Sequence, residues 1–532
     1  ARSTVAVFGS AANMAASTRA AALLLTVCFL ACYVSVPSLA ASEDFLQCLS
    51  TTSIPSQLVF TPSSPSFTSV LVSSIRNPKF FTPTTVRPLC IVTPTNASHV
   101  QAAVLCGRRH DVRVRVRSGG HDYEGLSYRS ERPETFAVVD LASLRAVRVD
   151  RAAATAWVDS GATVGELYYA VAKASPGLAF PAGLCPTIGV GGHFSGGGMG
   201  LMMRKYGLSA DNVLDATLVD ANGRLLDKEA MGADLFWAIR GGGGGNFGIV
   251  LSWKVRLVPV PPTVTFFDIQ KSVDQGAVNA VTKWQTLAPT LPEDLSIRVI
   301  VQSNQALFQS LYLGSCGALV TTMSILFPEL GMTRADCREM SWLQSMVYVN
   351  SGDTKTPVET LLNRTTSLST FTKNKSDYVK KAITKDSWEK IFPLFNKTGA
   401  GIIILEPHGG TVSGIADADT PFPHRSGVLY NIQYVAFWTG NGTDAPNWIS
   451  GLYDFMEPFV SKNPRGAYVN YRDLDIGENT VVGGVTSYES GKVWGEKYFG
   501  GNFRRLAITK GKVDAGDYFR NEQSVPPLAS RK

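Results

Sequence analysis

The sequence is short of the features that would mark a zinc protein, a nucleotide-phosphate switch or a fibre. Its six histidines, His99, His110, His121, His193, His408 and His424, show no zinc-like pairing with cysteine or carboxylate, so no metal site is expected. Neither of its two glycine-rich segments has Walker spacing with a Lys-Ser/Thr pair, and neither has the Rossmann glycine fingerprint. There is no internal repeat, and after the run Ala20 to Leu39 no segment is long and apolar enough to cross a bilayer. Charged residues are 17% of the chain and the net charge is +7, a mild excess without the basic footprint of a nucleic-acid binder. With 45% hydrophobic residues over 532 positions, disorder and collagen-like structure are excluded, and the length suffices for two domains with large cores.

What is present starts with that apolar run. Arg19 precedes it, the small residues Ser38, Ala40 and Ala41 close it, and Met14 heads it, which is the pattern of a secretory signal with cleavage near Ala40. Residues 1 to 40 are therefore read as leader and signal peptide. A signal anchor is the alternative, but no stop-transfer flank follows. Residues 1 to 40 hold Arg2 and Arg19 and no acid, so the mature chain would carry +5. Cys28 and Cys32 leave with the signal. Cys48, Cys90, Cys106, Cys185, Cys316 and Cys337 remain in an oxidising compartment, where six cysteines allow about fifteen pairings. Acceptor triplets at Asn96, Asn363, Asn374, Asn396 and Asn441 fit N-glycosylation of a secreted, extracellular protein.

After a Ser/Pro/Thr-rich lead-in from Ser50 to Thr85, short β-rich runs alternate with helical patterns, which indicates mixed α and β structure. Val112, Val114 and Val116 alternate with Arg113, Arg115 and Arg117, a strand with one apolar and one basic face that ends at Ser118-Gly119-Gly120. Arg113 and Arg115 are expected to face solvent, whereas Arg117, beside the glycines, is a candidate for the site. Thr163 and Glu166 form a capping box for a helix over Gly161 to Ala174 that presents Leu167, Tyr168, Val171 and Ala172 on one face. Alternation from Ile249 to Leu257 marks another strand leaving the glycine run Gly241 to Gly245, and Pro259-Val260-Pro261-Pro262 marks a domain boundary.

The chemistry gathers in Arg117-Ser-Gly-Gly-His-Asp-Tyr-Glu-Gly125 and in the segment Gly183 to Gly198, with Cys185 near its start. Glycine lets the backbone approach a ligand and turn N–H groups toward it. A generic glycine loop would only be a turn, but here one loop carries His121 and the other Cys185. Together with Pro421-Phe-Pro-His-Arg425, Tyr471-Arg-Asp-Leu-Asp475, Trp494-Gly-Glu-Lys-Tyr498 and Arg520-Asn-Glu-Gln523, these segments resemble the berberine bridge enzyme-like flavoproteins of the vanillyl-alcohol oxidase superfamily. Within that family the likeness is greatest to the group-4 grass pollen allergens.

The resemblance implies an α+β, two-domain FAD-binding fold of the vanillyl-alcohol oxidase type. Residues 41 to 262 and 476 to 532 would form the FAD domain, with an antiparallel-sheet substrate domain from 263 to 475. It implies FAD bonded twice, His121 to the 8α-methyl carbon and Cys185 to C6. The cofactor cradle would be Arg117, Ser118, Gly119, Gly120, Asp122, Thr187, Gly191, Gly192, Gly197, Gly248 and Val250, with His193 beside the N1 to C2 carbonyl edge as a donor to reduced flavin. On the substrate side the strand Leu429 to Phe437 would turn Asn431 and Gln433 to the flavin, beside Tyr123 and Tyr471. Tyr471 would take the substrate hydroxyl proton as hydride leaves for flavin N5, and a free tyrosine, with a pKa of about 10, would need lowering for that role. Ile188 would lie over the reactive edge and hinder oxygen, favouring a dehydrogenase. Likeness also pairs Cys48 with Cys106, pairs Cys316 with Cys337 more weakly, and leaves Cys90 free.

Relatives that oxidise aromatic alcohols carry Tyr where this chain has Met199 and Lys where it has Asn431. Strong base catalysis by Tyr471 and that substrate class are both put in doubt, which favours an open, polar site for an alcohol or carbohydrate, with an electron acceptor that the motifs do not specify. The competing readings are a catalytically idle flavin-bearing glycoprotein of the cell wall or pollen surface and a carbohydrate-binding protein without turnover. No nucleic acid and, for the mature chain, no membrane is expected as partner.

Overall fold

The computed structural model describes residues 41–365 and 369–529, so the secretory signal expected over residues 1 to 40 lies outside the described residues. Among the described residues no helix is long and apolar enough to cross a membrane.

A small sheet comes first, from β1 (Val59–Phe60), β2 (Ile91–Val92), β3 (Arg113–Arg117) and β4 (Phe136–Asp140), in the order β1-β2-β4-β3 with β2 and β3 parallel to β4. The helix Ala97–Arg109, capped by Asn96, packs its apolar face on this sheet. Cys106 on that helix is bonded to Cys48, which ties the start of the described chain to it, and Cys316 is bonded to Cys337. Cys90 is a free, buried thiol, pushed up to about 12 by burial.

Strand β3 ends at the glycines as expected, but its basic face is not solvated. Arg115 is 4% exposed and pairs with Glu522 at 3.1 Å and Glu134 at 2.5 Å. Arg117 is fully buried, pairs with Asp140 at 2.5 Å and donates to the carbonyls of Val70 and Leu71. Arg113 reaches the carbonyl of Asp517. The reason is coverage: the C-terminal segment and the helix Phe67–Val72 lie over a face that solvent would otherwise hydrate. A buried guanidinium is tolerable only with such partners.

The chain then supplies β5 (Val147–Asp150), β6 (Thr155–Asp159), β7 (Leu178–Ala179), β8 (Val213–Val219), β9 (Leu225–Leu226), β10 (Ile249–Arg256) and β11 (Val258–Pro259). Five of them form an antiparallel sheet in the order β5-β6-β10-β8-β9, while β7 pairs with β11. The capping box is formed: the Thr163 N–H donates to Glu166 Oε2 at 2.9 Å, the Glu166 N–H donates to Thr163 Oγ1 at 3.2 Å, and the helix runs Val164–Ala174.

From Val264 onward a seven-stranded antiparallel sheet takes over. Its strands are β12 (Val264–Ser272), β13 (Leu295–Gln302), β14 (Gln305–Tyr312), β15 (Arg338–Met340), β16 (Phe371–Val379), β17 (Ile402–Pro407) and β18 (Tyr430–Trp438), in the order β15-β12-β14-β13-β17-β18-β16. One face buries a core around Trp284, Trp388 and Phe308. The other face is polar, and its register sets Arg298 opposite Gln309, Glu406 opposite Asn431, and Gln433 opposite Ser376. Lys373 and Lys375 of β16 each bond both Asp473 and Asp475, at 2.6 to 3.1 Å, which fastens the segment after Tyr471 to this sheet.

Candidate active site

The polar sheet face and the glycine loops enclose a cavity of about 410 Å³. On one side it is backbone. The Ser118-Gly119-Gly120 turn and the Gly189 loop run so close that a Cβ at Gly119 would stand 2.3 Å from the Gly189 nitrogen, and one at Gly189 would stand 2.2 Å from the Gly119 nitrogen. Gly120 holds φ of +68°, where its own Cβ would meet the Ser74 carbonyl at 1.8 Å. Only glycine fits such approaches.

This contact brings His121 and Cys185 together. Thr187 Oγ1 lies 2.9 Å from His121 Nε2 and 3.4 Å from Cys185 Sγ. Burial, with the Arg76 charge, lowers the His121 pKa to about 3, so the imidazole is neutral, and the bond to Thr187 leaves Nδ1 open. Cys185 is a free thiol, and Arg76 is electrostatically coupled to it. His193 accepts from the Gly183 N–H through Nε2 at 2.9 Å; burial lowers its pKa to about 4, so Nδ1 carries the proton as a donor. Asp122 lines the cavity, accepts from the N–H groups of Glu124 and Leu126, and pairs with Arg472 at 2.8 Å.

Most residues expected at the site do line the cavity: Ser118, Gly119, Gly120, His121, Asp122 and Tyr123 from the first loop, Cys185, Ile188, Gly191, Gly192 and His193 from the second, and Gly248, Val250, Gln433 and Tyr471 from elsewhere. Thr187 stands behind His121 and Cys185. Like Thr187, three further expected residues do not line it. Arg117 is spent on Asp140 beneath the loops. Gly197 faces Phe422. Asn431 is fully buried, its Nδ2 donating to the Asp377 carbonyl at 3.0 Å, because the strand carries it past the cavity edge that Gln433 reaches.

On the sheet side Gln433 Nε2 donates to Tyr123 Oη at 3.0 Å and to Asn374 Oδ1 at 2.9 Å. Asn374 is thus 1% exposed, and the glycan expected there is excluded by packing, whereas Asn96, Asn363, Asn396 and Asn441 are exposed. Tyr471 packs edge-on against Tyr468 and Tyr123, at 4.9 and 6.1 Å between ring centres. Burial pushes its hydroxyl well above the ordinary tyrosine range; Glu406, Tyr123 and Tyr468 push the same way, and Arg298 opposes them. The lowering expected for a base is not found. Arg298, Glu406 and Tyr468 line the cavity and were missed in the sequence, where the only sign of the first two is a charge at an inward position of an otherwise apolar strand.

The fit to FAD can be tested on the cradle. Gly192 lines the cavity and a Cβ there would meet no protein atom within 4 Å, so it would enter the space left for a ligand. With a neutral imidazole, a free thiol and a histidine donor around that space, the residues fit a flavin.

Comparison with known proteins agrees. Residues 88–228 match the family described as FAD binding domain, and residues 467–526 match the family described as berberine and berberine like. The berberine bridge enzyme-like protein Cyn d 4 of Cynodon dactylon is 60% identical over 96% of this chain and 100% of its own length. The tetrahydroberberine oxidase of Berberis wilsoniae is 46% identical, over 92% of this chain and 94% of its own. Among solved structures, the wild-type grass pollen allergen Phl p 4.0202, a glucose dehydrogenase, superposes with a TM-score of 0.90 at 59% identity, covering 92% of this chain and 100% of that one. The site and fold define an FAD-dependent oxidoreductase of the vanillyl-alcohol oxidase type. The chain belongs to the berberine bridge enzyme-like family.

Proposed function

We propose that this chain is an extracellular oxidoreductase that holds FAD through His121 and Cys185, oxidises a carbohydrate hydroxyl, and passes the electrons to an acceptor other than oxygen. The observation that carries the reading is the meeting of His121 and Cys185 at one hydroxyl, that of Thr187. A neutral imidazole with Nδ1 free is the nucleophilic form needed to bond the 8α-methyl carbon, and Cys185, in no disulfide, is available for the second bond. When bound, FAD supplies the two-electron acceptor for the hydride released from the carbon being oxidised. The chain's own residues orient the substrate. Tyr123, Gln433 and Tyr471 form a polar corner for the reacting hydroxyl, and only the ionised form of Tyr471 can take its proton. The His193 Nδ1–H is the donor assigned to the pyrimidine edge of the cofactor.

Carbohydrate as substrate is supported by the polar sheet wall and by the glucose dehydrogenase activity named for Phl p 4. The test is direct: the wild-type protein should stay yellow after denaturation and acid precipitation, and peptide mass spectrometry should find one flavin joining the His121 and Cys185 peptides. His121→Ala and Cys185→Ala should each leave a single bond. A colourless wild-type pellet refutes the reading.

Ile188 is assigned the control of oxygen. It lines the cavity, and its backbone is pinned on both sides, its N–H donating to the Cys185 carbonyl and its own carbonyl accepting from the Val164 N–H. A β-branched side chain so held has few rotamers by which to move aside. Support comes from Phl p 4, of which an isoleucine-to-valine variant is described as a glucose oxidase. In stopped flow the reduced wild type should reoxidise slowly in air and quickly with a quinone, and Ile188→Val should speed only the oxygen reaction. Equal oxygen rates in the two proteins remove Ile188 as the gate.

A further inference from the structure

The polar face of the seven-stranded sheet carries a chain of side chains that the flavin site does not require. Asp268 of β12 accepts from Gln309 Nε2 at 2.7 Å. Gln309 Oε1 in turn accepts from Arg298, through Nε at 2.8 Å and also through Nη2. Arg298 Nη1 then donates to Glu406 Oε1 at 3.3 Å. Four strands thus hold one guanidinium and one carboxylate in a fixed plane, and the last two members of the chain line the cavity.

The pair is unfinished in a particular way. Among the described residues Glu406 Oε2 has no hydrogen-bond donor, and Arg298 has used three of its five N–H groups. The side chains of Arg298 and Glu406 are only 13% and 10% exposed, so what solvent reaches them comes through the cavity. A buried pair with spare capacity on one edge is costly unless a ligand completes it. The edge presents an acceptor beside donors, and two neighbouring hydroxyls, each able to donate and accept, match that pattern.

We propose that Arg298 and Glu406 form a subsite for the vicinal hydroxyls of a sugar, adjoining the hydroxyl held at Tyr471, Tyr123 and Gln433. This inference rests on the carbohydrate reading above and names the residues that enforce it. Selection follows from the cost of leaving the pair dry: a simple alcohol with a single hydroxyl fills the space without satisfying Glu406, whereas an aldopyranose does both. A site built to bond a hydroxyl rejects the analogue lacking it more strongly than an apolar pocket rejects an extra group. Glu406 is a specificity-determining residue in this account and not the proton acceptor.

The test uses the flavin-loaded full chain and Glu406→Gln, which keeps the bond from Arg298 and removes the charge. Glucose KM and the dissociation constant of 1,5-anhydroglucitol, read from the flavin absorption change, should both rise by about tenfold or more, with the limiting rate of flavin reduction within about threefold of wild type. Deoxyglucoses, each lacking one hydroxyl, should show the substitution silent for the one whose missing hydroxyl is the contacted group. Unchanged melting temperature and flavin content confirm an intact fold, and Glu406→Asp serves in place of Glu406→Gln if they change. Unchanged glucose KM and analogue affinity overturn the proposal while leaving the carbohydrate reading standing. A collapse of the reduction rate with its pH dependence abolished overturns it too, making Glu406 the base. Failure of the wild type to be reduced by any aldose, while a simple alcohol reduces it, is instead the failure of the carbohydrate reading, and this subsite falls with it.

Discussion

The two walls of the cavity are built by opposite means. The loop wall is mostly backbone: Gly119 and Gly189 meet through main-chain atoms, with the small Ser118 hydroxyl beside the contact. The sheet wall is side chain: Arg298, Glu406 and Gln433 project from strands whose backbones are fully occupied with one another. A backbone wall is intolerant of added volume but indifferent to charge. A side-chain wall tolerates changes of shape and depends on hydrogen-bond partners and protonation. One wall therefore suits a cofactor held in a single pose, and the other a substrate that must be admitted, read and released.

Added volume in the loop wall has the largest expected effect. Gly189→Ala places a methyl group 2.2 Å from both the Gly119 nitrogen and Ser118 Oγ, and the first of these clashes is relieved only if backbone moves. We expect a loss of about 3 kcal/mol, at the upper end of overpacking costs, and a protein that no longer retains flavin. Gly192→Ala sharpens the comparison, because its methyl group meets no protein atom. It should keep the melting temperature of the cofactor-free protein and still lose flavin. If Gly192→Ala binds flavin normally, the cradle does not extend to that residue. Melting curves and visible absorbance per protein measure both.

The sheet side is expected to respond to pH. Because burial holds the Tyr471 hydroxyl well above its ordinary range, its ionised form is scarce at neutral pH and grows as pH rises. The rate of flavin reduction by sugar should accordingly rise through the alkaline range, by up to about tenfold per pH unit while Tyr471 remains mostly protonated. Tyr471→Phe should slow the reaction and flatten the profile, with flavin content unchanged. A rate that is flat with pH in the wild type removes Tyr471 as the proton acceptor.

How much of this could be read along the chain depended on distance in sequence. The glycine loops were legible because their information is local: a histidine or cysteine among closely spaced glycines states both the residue and the backbone freedom around it. The capping box of Thr163 and Glu166 was legible for the same reason. The face of β3 was misread at Arg115 because a period of two reveals two faces and says nothing of what covers each. Asn374 was misread because an acceptor triplet carries no record of burial, and this one sits under Gln433.

The sequence by itself determined the FAD-binding family, the two attachment residues proposed here, and the pairing of Cys48 with Cys106 that family likeness implied. Only the tertiary structure decided that Arg115 and Arg117 are internal ion-pair partners, that Asn431 lies outside the cavity, and that Arg298 and Glu406 reach it together. The physical reason is register. Residues of β13 and β17 share a face because antiparallel pairing aligns Val299 with Leu405, and that alignment belongs to the folded sheet and to neither strand alone.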